Sequence, residues 1–333
     1  MTSFTVTPVT GIGEVSLGTD LAALVADRAD LRDGDVVAVT SKIVSKSEGR
    51  VVVLEPGQGR EDVLDQETDR VVARRGPTTI VRTRHGLVMA AAGIDISNTA
   101  PGTAVLLPVD PDGTARRLRE GLHEHTGVNV AVVVTDTSGR AWRTGQTDIA
   151  IGAAGLVVLD DHAGRTDRYG NPLLVTAPAV ADEVAAAAEL ATGKLSASPV
   201  AVVRGLAAVV LTRGEHGAGA AALVREEASD MFGYGAREAV VRALAPGGDL
   251  RGFGAPASGA ELGAALTSMA GAAAAVHVAA HAATVTLAEE DPYSRGVTAA
   301  RLTALARAHG WHPSGPDDRT GPPEVLRFSP RSP

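Results

Sequence analysis

A mixed α/β fold is what this sequence predicts, and three observations predict it. Uninterrupted apolar runs rich in Val recur at 36–39, 130–134 and 200–203, the pattern of strands buried on both faces. Longer stretches with helical patterning lie between or ahead of them, at about 20–31, 113–125 and 179–192. Gly, Pro, Asn and Asp gather between the segments, where the chain must turn. With 333 residues there is room for a substantial core and two domains or lobes.

Taken in order, the chain opens with a strand at 4–8, a turn at 10–13 and the helix at 20–31. Asp33, Gly34 and Asp35 turn it into the buried strand 36–40, which ends at Ser41 and Lys42. A strand at 50–54 follows Gly49, and the charged segment 57–78 reads as a helix with loose flanks. Residues 79–84 and 87–91 read as a hairpin turning at His85 and Gly86. A Gly-containing loop with Asp95 and Asn98 comes next, then the helix 113–125 and the strand 130–134. The polar loop 159–172 leads to a strand at 173–176, the Ala-rich helix 179–192 and the strand 200–203. A loop at 214–219 precedes a helix at 220–232. The segment GGDLRGFGAPASG is linker-like, and a small α/β pattern follows it: a helix, a strand at 284–287, a helix at 296–308 and a strand at 325–328. The expected organisation is a main domain over 1–247 and a small C-terminal extension over 258–333.

Composition narrows the function. The net charge of −8 argues against a nucleic-acid partner, which would call for a basic footprint. There is no cysteine, so thiolate metal sites and cysteine nucleophiles are excluded. The first residues lack the basic and apolar regions of a signal peptide. No stretch reaches the roughly 20 apolar residues of a membrane span. A cytoplasmic enzyme or binding protein is expected.

The richest segment is VAVVVTDTSGRAWRTGQTDIAIG, residues 130–152. Its apolar run leads into Asp136 and Thr137, which would sit at the carboxyl end of a strand, where ligands gather in such sheets. Arg140, Arg143, Gln146 and Asp148 follow, expected on one loop. Two readings fit: a site for a metal ion and anionic oxygens, or a turn capped by Asp136 with solvated arginines. A second signal is the scarcity of lysine. Only Lys42, Lys46 and Lys194 stand among 31 basic residues. Where arginine serves as the general cation, a retained compact ammonium suits a phosphate oxygen. Chance clustering on a solvated face is the alternative.

Familiar signatures are missing. The segment around Lys194, ATGKLS, lacks the upstream Gly of a P-loop and places Leu after the lysine. GIGEVSLG is no dinucleotide fingerprint, and there is no H-E-x-x-H or G-x-S-x-G. What remains is a set of loops following strands, with Ser41 and Lys46, Asp95 and Asn98, Asp136 and Thr137, and Glu215. Hard divalent cations such as Mg²⁺ or Mn²⁺ take one or two carboxylates and complete their shell with phosphates and water. Two aspartates from different strand ends meet that demand.

Eight blocks then appear in a telling order: GIGEV, DGDVVAVTSKIVSKSEGR, AAAGIDISN, PVDPDGTA, VVTDTSGRAWRTGQTDIAIG, GRTDRYGNPL, VADEVAAAAEL and PVAVVRGL. Together they resemble the coenzyme F420-0:L-glutamate ligase family over about residues 4–235. The resemblance implies a two-lobed α/β fold, an intertwined homodimer and a GTP-dependent ligase. GTP would phosphorylate a carboxylate of F420-0, and L-glutamate would attack the acyl phosphate to give an amide, GDP and phosphate. Further γ-linked glutamates could follow. By motif, Ile12, Gly13, Glu14, Val15, Ser41, Lys46 and Asn98 would contact GTP. Asp95 and Asp136 would hold one divalent ion and Thr137 a second, with Glu215 on a loop where relatives place an acidic ligand. Lys46, Asp95 and Asp136 would be the catalytic residues, and K⁺ is a candidate monovalent ion. Some relatives continue into a flavin-binding, nitroreductase-like domain, whereas about 85 residues follow residue 248 here. Three rival readings stand beside it: a related ligase with another acceptor or nucleotide, a non-catalytic F420 or nucleotide-binding protein, and a deazaflavin redox enzyme.

Overall fold

A computed structural model describes residues 3–97, 99–194, 196–314 and 324–331. The chain divides into two units, Met1–Val224 and Arg225–Pro333, whereas the sequence suggested a break within 247–258. The first unit contains β1 (Thr5–Val9), α1 (Leu21–Arg28), β2 (Val36–Thr40), α2 (Ser41–Ser47), β3 (Val51–Val53) and α3 (Glu61–Glu67). It continues with β4 (Thr68–Arg75), β5 (Thr78–Thr83), β6 (Val88–Ala90), β7 (Thr103–Val105) and α4 (Pro111–Thr126). Then come β8 (Ala131–Gly139), β9 (Gln146–Ala154), α5 (Val180–Thr192) and β10 (Val200–Arg204).

The Val-rich runs meet in a five-stranded sheet of order β1-β10-β2-β8-β9. Only β2 and β8 run parallel, in a register that pairs Thr40 with Thr135. The end of β2 therefore lies beside Thr135 of β8, and Ser41 and Asp136 follow at the next step of the two chains. Alternate residues serve opposite faces. Val37, Val39, Val132 and Val134 pack with Leu21, Val25, Leu118 and Leu122 of α1 and α4. Val36, Ala131, Val133 and Val203 pack with Ala181 and Val184 of α5. This two-sided burial explains why these strands carry no polar alternation. Smaller sheets, β3-β7 and β4-β5-β6, lie in the same unit.

The mixed α/β expectation holds, with local corrections. Helix 57–78 is only α3; from Thr68 the chain instead forms β4, which pairs antiparallel with β5. No strand forms at 173–176, because the Leu173 N–H donates to the Arg165 carbonyl at 2.8 Å within its own loop. No helix spans 220–232. The Asp112 carboxylate takes the Ala220 and Ala221 N–H groups, and short 3-10 turns at Ala220–Leu223 and Glu227–Ser229 replace it. Finally, β8 runs on to Gly139, so Asp136 and Thr137 lie within a strand and Asp148 on its partner β9.

The second unit contains α6 (Ala236–Leu244), α7 (Gly259–Ala270), β11 (Ala274–Ala279), β12 (Ala282–Leu287), α8 (Pro292–Ala308), β13 (Trp311–Pro313) and β14 (Val325–Pro330). Its antiparallel sheet has the order β11-β12-β14-β13. Leu262 and Leu266 of α7 and Leu302 of α8 pack on Val285, Trp311, Leu326 and Phe328. Among the described residues, no helix is long and apolar enough to cross a membrane.

Candidate active site

A cleft of about 400 Å³ opens at the end of the sheet where β2 and β8 finish. Topology assembles its walls. The residues after β2 form α2, and the antiparallel β10 enters at the same end, with Thr40 N–H donating to the Pro199 carbonyl at 3.0 Å. The end of α5 and the chain leading to Pro199 therefore close one side, contributing Glu189, Thr192, Lys194 and Ser198. Another wall comes from Gly13, Glu14 and Val15.

Four residues apart on α2, Lys42 and Lys46 share one helix face and both line the cleft. Lys42 Nζ lies 2.5 Å from Asp95 Oδ2 and donates to the Ser97 carbonyl at 2.9 Å. Lys46 Nζ contacts Glu14 Oε1 at 2.6 Å. Asp95 is delivered by a tight left-handed turn, with φ of +49° at Ala91, +53° at Ala92 and +70° at Gly93. Two consecutive alanines in this region are uncommon and mark a strained approach. At Gly93 a β-carbon would come 2.9 Å from the Leu107 side chain, so glycine fits on two grounds.

On β8, Asp136 accepts a hydrogen bond from Ser41 Oγ at 2.7 Å. Asp148, across the β8–β9 ladder, accepts from Thr135 Oγ1 at 3.0 Å and Thr137 Oγ1 at 2.8 Å. Burial pushes the Asp136 carboxyl up to about 7; the Ser41 bond opposes this, and the charges of Asp148 and Asp95 add to it. At Asp95 burial also raises, but the Lys42 and Ser97 hydrogen bonds outweigh it and hold that carboxyl below its ordinary range. Five carboxylates, counting Glu14 and Glu189, thus face three lysines. This excess of negative charge is poorly suited to phosphate unless a cation accompanies it. Among the described residues, no three His, Asp or Glu side chains form a ready-made metal cage.

Of the residues singled out by sequence, Gly13, Glu14, Val15, Ser41, Lys46, Asp95, Asp136 and Thr137 line this cleft. Ile12 does not; it is buried in the core between α1 and the sheet. Asn98 lies outside the described residues. Glu215 is not brought to the cleft. Its carbonyl accepts from Arg119, whose Nε donates to the Val130 carbonyl at the start of β8, six residues or about 20 Å along the strand from Asp136. Arg140 and Arg143 are exposed. Sequence reasoning gave Glu189 no role; it singled out Lys42, Lys194 and Asp148 without assigning them to the site. The lysine scarcity was the usable signal, since all three lysines of the chain line the cleft.

Comparison with known proteins decides the family. The model of the F420-0:gamma-glutamyl ligase family matches residues 11–62 and 60–205. The chain belongs to that family. This ligase is 41% identical over 253 residues to the coenzyme F420:L-glutamate ligase of Haloarcula marismortui, covering 69% of this chain and 96% of the relative. It is 40% identical over 237 residues to the protein of that name from Methanopyrus kandleri, covering 66% and 93%. The corresponding Halobacterium salinarum protein is 44% identical over 218 residues, covering 59% and 85%. The family match falls within the first unit, and all eight candidate residues that meet at the cleft lie within it.

Proposed function

We propose that this ligase joins L-glutamate to F420-0 with GTP as co-substrate, through an acyl phosphate, releasing GDP and phosphate. The observation that carries the reading is the cleft itself, where compact ammonium groups on α2 stand beside two aspartates from different elements, Asp136 within β8 and Asp95 after the turn that follows β6. Phosphoryl transfer to a carboxylate demands charge neutralisation and positioning more than a protein nucleophile. Lys46, with Gly13, Glu14, Val15 and Ser41, contacts GTP; Lys46 exchanges its Glu14 contact for a phosphate oxygen. Lys42 positions Asp95, and Ser41 orients Asp136.

The donor set fits Mg²⁺ or Mn²⁺. Asp95 and Asp136 would hold one ion and Thr137 a second, with phosphate and water completing each shell. Bound there, the ions would neutralise charge on the transferred phosphoryl group. Glu215, at the far end of the sheet, is left out of this set. A homodimer is part of the proposal, supported by exposed apolar side chains on ordered loops: Tyr169 at 74%, Leu174 at 74% and Val175 at 92% exposure.

The test is to incubate the protein with F420-0, L-glutamate, GTP and Mn²⁺ or Mg²⁺ and weigh the products. A mass gain of one or more glutamyl units with matching GDP release is expected. Equal activity with ATP, or release of GDP without any amide product, would overturn it.

A further inference from the structure

The second half of that reaction needs a group not yet assigned. An amino acid arrives as an ammonium, which has no lone pair to attack an acyl carbon. A base must take its proton. Of the five carboxylates in the cleft, four are engaged. Glu14 meets Lys46, and Asp95 meets Lys42 and the Ser97 N–H. Asp136 accepts from Ser41, and Asp148 from both Thr135 and Thr137. The fifth is Glu189, in the last turn of α5, whose carboxylate accepts no hydrogen bond from any described residue.

We propose that Glu189 receives the ammonium of the incoming amino acid and acts as general base for amide formation. This rests on the acyl-phosphate reading above. Glu189 takes one proton as the nitrogen lone pair forms the C–N bond to the acyl carbon. The C–O bond to the phosphoryl group breaks, and its electron pair leaves with the phosphate. That phosphate accepts the second proton lost by nitrogen, and Glu189 later returns its own to water.

Two further observations support the assignment. A helix C-terminus carries partial negative charge, which favours a bound cation; Glu189 adds a full charge there. Burial raises the Glu189 carboxyl above its ordinary range, with Asp148 adding to the rise and Lys194 opposing it. A carboxylate moved in that direction is a better proton acceptor near neutral pH.

The experiment compares two nucleophiles on the full chain carrying Glu189→Gln. Hydroxylamine is uncharged at neutral pH and captures an acyl phosphate without a base, giving a hydroxamate. In the variant, glutamate addition should fall by about 10²–10⁴-fold, while hydroxamate formation from F420-0 and GTP keeps the parental rate. Parental glutamate addition would overturn the proposal, and so would an equal loss of both reactions. If the Gln variant melts early, Glu189→Ala with added formate gives the same reading, since a restored amide rate identifies a missing base. A parent that adds glutamate yet forms no hydroxamate would sink the acyl-phosphate reading and this role with it, a pattern distinct from the other two.

Discussion

The two ends of the five-stranded sheet both gather charge, and they treat it in opposite ways. Where β2 and β8 begin, Asp35 is only 1% exposed and is gripped by Arg204 Nε and Nη2 at 2.9 and 2.8 Å. The Arg32 N–H adds a third bond at 2.8 Å. Nearby, buried Arg119 donates to the carbonyls of Val130, Glu215, Leu211 and Thr212 and to Asn129 Oδ1, at 2.6–3.1 Å. Where the same strands finish, carboxylates outnumber lysines and Asp136 titrates near neutrality. Charge that maintains the fold is paired within the protein, as burial demands. Charge set aside for chemistry is left short of partners that substrates would supply.

Substitutions at the cleft end should break activity and leave the fold. Asp136→Asn removes a hard anionic ligand while keeping its size and the Ser41 hydrogen bond. Turnover should fall by more than about 10³-fold, with partial recovery at raised metal concentration; Lys46→Ala should lose about 10²–10³-fold. Steady-state rates at limiting metal and varied GTP check both. Normal turnover by Asp136→Asn would remove that residue from the metal set.

Substitutions at the opposite end should do the reverse. Arg119→Met keeps the aliphatic stem but takes the donor away from the Val130 and Glu215 carbonyls and from Asn129 Oδ1, whereas the Leu211 and Thr212 carbonyls keep the Asn129 side-chain amide and the Glu215 N–H. Each orphaned buried acceptor costs about 1–3 kcal/mol, less when several relax together, so a loss of about 3–5 kcal/mol is expected by urea denaturation. Activity per folded molecule should persist. An Arg119→Met enzyme of parental stability but little activity would mean that the two ends do not divide the labour in this way.

Sequence made the cleft more legible than the structural end. The strands 36–40, 130–134 and 200–203 were readable because two-sided burial writes itself as apolar runs. Scarce lysines and the two aspartates identified the cleft for the same local reason. Glu189 was hidden inside an Ala-rich helix, and only the antiparallel return of β10 shows that its C-terminal turn faces Asp136's end of the sheet. Arg119 looked like any helical arginine, since its carbonyl partners lie up to 96 residues away. The strand β4 was masked by its charges: Asp69, Arg70, Arg74 and Arg75 obscure a β-pattern that pairing with β5 realises. Glu215 was drawn to the site by its place on a loop after a strand and by the family resemblance, and no local pattern could have placed it at the other end.

The smallest effect tests the contrast without any substrate. Unfolded, Asp136 would titrate near its ordinary value of 3.8; folded, it does so at about 7. Between those limits the native state holds the extra proton, so stability falls as pH rises from about 4 to about 7 and is flat above. Asparagine at position 136 cannot titrate and still accepts the Ser41 hydrogen bond. The full difference between the two pKa values corresponds to about 4 kcal/mol, and relaxation around the charge should reduce it to about 2 kcal/mol. In a chelating buffer at pH 8, Asp136→Asn should therefore be more stable than the parent, with the two curves meeting near pH 4. Saturating Mn²⁺ should stabilise the parent and shrink the gap, because the ion supplies the charge the aspartate lacks. Identical pH–stability curves for the two proteins in the chelating buffer would mean that this end of the sheet carries no unmet charge.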